Sequence, residues 1–221
     1  MPSPTSTGCA SGGHADAAIT TRHARRSAAD ARRPATVRAV TTRSPQAVLI
    51  GPPGSGKSTV GPLLAERLGC DFADADADVE AAEGRSISDI FTENGEPYFR
   101  ELEERTIADG LTRHDGVFSL GGGAVLSEAT RKRLAGHTVV FLTVGLTVGM
   151  RRTGLSTARP LLAGVNPRAT FKAMLEERLP LYREVATIEI ATDERTPDEV
   201  VDEIVVACTK ETEGGPTDYR R

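Results

Sequence analysis

The chain has 221 residues and a formal net charge of −4, from 27 lysines and arginines against 31 acids. That sum is uneven: residues 1–45 carry seven arginines and two acids, a net +5, and the other 176 residues carry 20 basic and 29 acidic side chains, a net −9. An acidic globular part excludes nucleic-acid or anionic-membrane binding through overall charge, so any anionic ligand must be held by locally placed arginines.

Residues 1–45 are rich in Ala, Ser, Thr and Arg and poor in large apolar side chains. Such a segment buries too little to offset its ordering entropy. Two readings stay open: a disordered extension, with the Arg-rich and acid-poor composition of a transit peptide, or a translation start set upstream of a true one near Val37 or Val40. Ala47–Ile50 is an apolar run with the character of a strand buried on both faces. It leads directly into Gly51-Pro52-Pro53-Gly54-Ser55-Gly56-Lys57-Ser58, which satisfies the phosphate-loop pattern, and then into a helical stretch with Val60, Leu63, Leu64 and Leu68. Glycines there let backbone N–H groups turn toward phosphate oxygens, Lys57 is expected to bridge the β- and γ-phosphates of a bound nucleotide, and the Ser58 hydroxyl to ligate Mg²⁺. Pro62 breaks a rule inside that helix, and the spacing predicts a kink or a 3₁₀ turn at it.

A short strand is predicted at Asp71–Ala73, followed by Asp74-Ala75-Asp76-Ala77-Asp78. On an extended segment alternate residues face the same way, so Asp74 and Asp76 are candidates to share a cleft, one near a metal and one near a hydroxyl. The competing reading is a solvated turn in which Asp76 or Asp78 caps the following helix. Helices are predicted at Glu80–Gly84, Ser86–Asn94 and Glu96–Thr112. A strand over Gly116–Leu120 runs into Gly121-Gly122-Gly123, where backbone can approach a ligand or simply turn. Beyond it come a helix over Ser127–Leu134, a strand over Thr138–Leu142, an aperiodic stretch Thr153–Asn166, a helix over Pro167–Tyr182 and a strand at Ile188–Ile190. The last predicted helix, Pro197–Thr209, places Val200, Val201, Ile204, Val205 and Cys208 on one face with Thr196 as cap. This alternation predicts an α/β fold of three layers, a central parallel sheet between helices.

Cys9, Cys70 and Cys208 are far apart and form no metal or disulfide pattern, and no apolar run approaches the ~20 residues that span a bilayer. A cytoplasmic monomer with no membrane or nucleic-acid partner is expected. The third reading of residues 1–45, a nucleic-acid arm, lacks interleaved aromatic residues.

In Gly51–Thr59, Asp74–Asp76, Gly95–Arg100, Leu120–Ala124, Arg159-Pro160-Leu161-Leu162 and Arg178-Leu179-Pro180-Leu181-Tyr182 the chain resembles the shikimate kinases, P-loop proteins akin to the nucleoside monophosphate kinases. The resemblance runs from about Ala47 to Cys208 and implies ATP-dependent phosphorylation of the shikimate 3-hydroxyl. Together with the composition of the two ends, it divides the chain into residues 1–45, a kinase domain over 46–209 with an expected mobile lid at about 153–166, and an expected disordered tail over 210–221. It implies that Gly54, Ser55, Gly56, Lys57, Ser58 and Thr59 hold the nucleotide phosphates, with Ser58 binding Mg²⁺ directly and Asp74 through water. Asp76 contacts the shikimate hydroxyls as candidate base, Arg100 and Arg178 bind its carboxylate, and the Gly121–Gly123 backbone closes the pocket. Lys57, Asp76 and Arg159, the last from the lid, form the implied catalytic set. Arg152 and Arg195 are implied on the adenine side, although Ala191 stands where most members carry Asp. A gluconate-type sugar-acid kinase is the nearest alternative; such kinases share the cradle and lid but not the triple glycine together with Gly95-Glu96 and Phe99-Arg100.

Overall fold

Four consecutive apolar residues at β1 (Ala47–Ile50) are all buried, as a central strand covered on both faces requires. A computed structural model describes residues 44–153 and 166–213, with side chains through residue 209. Around β1 it sets β2 (Phe72–Asp74), β3 (Val117–Ser119), β4 (Val139–Thr143) and β5 (Ile188–Ala191) in the order β2-β3-β1-β4-β5, every pairing parallel. The helices are α1 (Lys57–Leu68), α2 (Ala75–Glu83), α3 (Ile87–Arg113), α4 (Glu128–Leu134), α5 (Leu146–Thr153), α6 (Pro167–Val185) and α7 (Pro197–Glu213).

The sheet divides two cores. On one face Val60 and Leu64 of α1 and Val200, Val201 and Ile204 of α7 pack against Leu49, Val117, Val140 and Ile190. On the other, Ile107 and Leu111 of α3, Leu134 of α4 and Tyr182 of α6 pack against Val48, Ile50, Phe118 and Phe141. Each such side chain contributes roughly 1.5–3 kcal/mol of burial. The α7 face is the one its spacing predicts, and Thr196 caps it: Thr196 Oγ1 accepts from the Glu199 N–H, while Glu199 accepts from the Thr196 N–H at 2.7 Å.

Neighbours on opposite sides of β1 take their connections in opposite directions, and the crevice at the carboxyl ends of the strands is where such sheets bind ligands. Leu49, Ser119 and Asp74 stand side by side in register at that edge. The loop after β1, the glycines after β3 and the start of α2 therefore emerge together.

Three local expectations need correction. Of the two alternatives at Pro62 the 3₁₀ turn is absent, since α1 stays α-helical from Lys57 to Leu68; Pro62 and Ser58 are both exposed, so water can serve the carbonyl that loses its helical partner. Asp74–Asp78 is not extended: the helix starts at Ala75 because Asp74 Oδ1 accepts the Asp76 N–H at 2.9 Å, and neither Asp76 nor Asp78 is the cap. Leu146–Thr153, assigned no element from the sequence, is helical.

Candidate active site

The phosphate loop curls through Gly54 (φ 78°) and Gly56 (φ 96°), a left-handed conformation that side chains resist. Gly56 precedes α1 with no side chain capping the helix, and the first turn carries no acid. The positive end of α1 is thus left for an anion. Ser55 Oγ is buried in the loop with no partner among the described residues. Lys57 Nζ lies back over its own loop, donating to the carbonyls of Gly51 at 2.6 Å and Pro52 at 3.3 Å. Ser58 and Thr59 are exposed at the helix start.

Beside this loop, Asp76, Arg100, Arg178 and Gly121–Gly123 line one cleft of 930 Å³ that also touches Pro53. Three helices supply its charged groups. Asp76 comes from the first turn of α2 and Arg178 from α6. Arg100 stands on α3 one turn beyond Gly95, whose φ of 82° and ψ of 172° break the helix there. The glycines allow close approach rather than a bend. A Cβ on Gly121 would sit 2.6 Å from Glu103 Oε1 and 2.7 Å from Asp76 Oδ1, and one on Gly123 would enter the Arg100 guanidinium. Any side chain there would displace the charged groups of the cleft.

Glu103 was not among the residues singled out from the sequence. Its carboxylate is 4% exposed and accepts from Arg100 at 2.7 Å, while Arg100 also pairs with Glu96 at 2.9 Å. Burial pushes the Glu103 carboxyl above the ordinary carboxylate range against the pull of Arg100 and Arg178, and Asp76 adds to the rise. One signal for it was available: Phe99, Leu102 and Ile107 form the buried stripe of α3, and Glu103 interrupts that stripe three residues after Arg100.

Arg178 donates from NH1 to the Gly122 carbonyl at 3.0 Å, and its Nε is buried with no acceptor among the described residues. On the far side of the phosphate loop, Arg152 at the end of α5 donates to Thr192 Oγ1 at 2.9 Å and to the Thr192 carbonyl at 2.6 Å, just past β5. Arg195 is exposed and ion-paired with Glu203 of α7. Arg159 and most of the lid segment lie outside the described residues.

The sequence model of the family described as shikimate kinase matches residues 53–209. The chain is similar to shikimate kinase of Saccharopolyspora erythraea, 64% identical over 172 residues that cover 78% of this chain and 98% of the relative. It is 55% identical to that of Thermobifida fusca over 158 residues, covering 72% and 91% of the two chains. Among solved structures, shikimate kinase from Acinetobacter baumannii in complex with shikimate superposes with a TM-score of 0.74 at 34% identity, covering 78% of this chain and 97% of that one.

Proposed function

The chain belongs to the shikimate kinase family, and on that premise we propose that Asp76 receives the attacking 3-hydroxyl of shikimate while Arg100 and Arg178 hold its carboxylate. The reaction is transfer of a phosphoryl group from ATP to shikimate. One observation carries the assignment of residues: Asp76, Arg100 and Arg178, from three different helices, share one cleft with the triple glycine and with Pro53 of the phosphate loop. An acceptor held beside a nucleotide cradle needs little further covalent chemistry, because phosphoryl transfer rests on positioning and charge neutralisation. The unmet, buried Arg178 Nε has the chemistry of a carboxylate anchor, since a planar guanidinium edge pairs with both oxygens. That the Acinetobacter baumannii enzyme was solved with shikimate supports this choice of acceptor.

On the donor side Gly54–Thr59 wraps the phosphates, with Lys57 neutralising their charge. Arg152 borders the adenine together with Thr192. Arg195 on that side, and Arg159 at the transferring group, rest on their motifs alone. Mg²⁺ fits the residues present. Ser58 is exposed at the start of α1, Asp74 ends β2, and beside Asp74 in register the Ser119 hydroxyl is buried with no partner among the described residues. Ser58 would hold the ion directly and Asp74 through water. When bound, it neutralises charge on the phosphate oxygens.

A coupled ADP-release assay tests the assignment, with shikimate set against gluconate, AMP and water as acceptors. Turnover is expected with shikimate alone. Asp76→Asn is expected to lower kcat by ~10²-fold or more while the KM for ATP and the Tm stay near wild type. Near-normal turnover of that variant would remove Asp76 from the role.

A further inference from the structure

Tyr182 belongs to no part of the site assigned above, yet it is the largest fully buried side chain of the described residues. Its ring stacks on Phe141 of β4, centroids 4.9 Å apart at 20°. Its hydroxyl donates to the Gly122 carbonyl at 2.5 Å, the same oxygen that accepts from Arg178 NH1 at 3.0 Å. Tyr182 follows Arg178 by four residues on α6, so the two side chains rise from one face of the helix and converge on one acceptor. Burial pushes the phenol up to about 12, so the hydroxyl remains a donor throughout the range in which a kinase works. Gly122 in turn leans on the phosphate loop: a Cβ there would meet Pro53 Cδ at 3.1 Å.

We propose that Tyr182 is a positioning residue for the acceptor carboxylate: its hydroxyl fixes the Gly122 carbonyl, and that carbonyl aims Arg178. The geometry divides the guanidinium. NH1 is held by the glycine strap, which leaves the unmet Nε on the edge that matches a carboxylate side-on. A Gly122 carbonyl with a single donor can rotate, and Arg178 turns with it. Phe141 carries the packing side of Tyr182 and the hydroxyl carries the aim, so the two functions separate by substitution.

This inference rests on Arg178 as the carboxylate anchor, and a double-mutant cycle distinguishes the failure of either. Tyr182→Phe removes the hydroxyl and keeps the stacked ring. The expected result is a rise of about tenfold in the KM for shikimate, with kcat and the KM for ATP within about twofold and the Tm within a few degrees. Arg178→Ala is expected to raise the KM for shikimate further, and the double variant to equal Arg178→Ala alone, because the hydroxyl acts through that arginine. Phe141→Leu, which keeps the hydroxyl and loses the stack, is expected to lower the Tm and leave the KM for shikimate near wild type. A shikimate KM raised as much by Phe141→Leu as by Tyr182→Phe would reduce Tyr182 to a packing role and overturn the proposal. So would effects of Tyr182→Phe and Arg178→Ala that simply add. If Arg178→Ala leaves the shikimate KM unchanged, the anchor assignment itself fails and takes the proposal with it.

Discussion

At Gly121 two carboxylates, Asp76 and Glu103, both crowd the space a Cβ would fill, and only one of them carries a chemical assignment. Arg100 lies against the other. The site residues legible in the sequence were those inside family motifs, namely Asp76, Arg100, Arg178 and the glycines. Glu103 was not, because its one mark, a place on the apolar stripe of α3, is faint in a helix rich in charge until the strand-end glycines close over it. Its titration is a test of that burial. Native Glu103 holds its proton to a higher pH than the unfolded chain, so its contribution to stability is fully present below its ordinary 4.5 and is lost as pH rises through the raised native value. Glu103→Gln has no such titration. The Tm of wild type minus that of the variant should therefore fall as pH rises from about 4.5 and then level off. A difference that grows with pH over that window would mean that the pull of Arg100 outweighs burial.

Elements were legible where punctuation and periodicity agreed. The sequence around Asn94-Gly95-Glu96-Pro97 predicts two helices, and α3 indeed breaks at Gly95, with Pro97 in the first turn of the second part, where its missing N–H costs little. The eight residues of α5 were not read as a helix, since Thr147, Val148, Gly149 and Thr153 are all weak helix formers. The start of α2 was misread because alternating aspartates suggest a strand until one of them caps a helix. Gly95 offers the sharpest test at this scale. Its φ of 82° with ψ of 172° lies in a region essentially reserved for glycine, where another residue costs about 1–3 kcal/mol. Gly95→Ala is expected to lower unfolding stability by that amount in urea. The loss should come with a raised KM for shikimate, because Arg100 follows the break by one turn and inherits its angle. Unchanged stability would show that the chain relaxes the break elsewhere.

For the whole molecule, composition described the total charge and nothing of its distribution. Beyond residue 45 the chain is acidic by a net −9, yet Arg100 and Arg178 line one cleft and Lys57 folds over the phosphate loop that the cleft touches. No count of residues reveals this, because the three come from separate helices and come near one another only through the strand order β2-β3-β1-β4-β5. Anion binding by an acidic domain is then a local property, set by low-dielectric surroundings and by directed donors rather than by the net field. Ligand linkage measures it on the intact chain. Shikimate at 100 times its Kd stabilises the native state by about 2.7 kcal/mol. For a domain of this size that corresponds to a rise in Tm of roughly 5–10 °C. Shikimate methyl ester, which keeps the ring and hydroxyls but loses the negative charge, is expected to give a much smaller rise at the same concentration. Equal rises for acid and ester would mean that Arg100 and Arg178 do not hold the carboxylate and that the ring hydroxyls alone carry recognition.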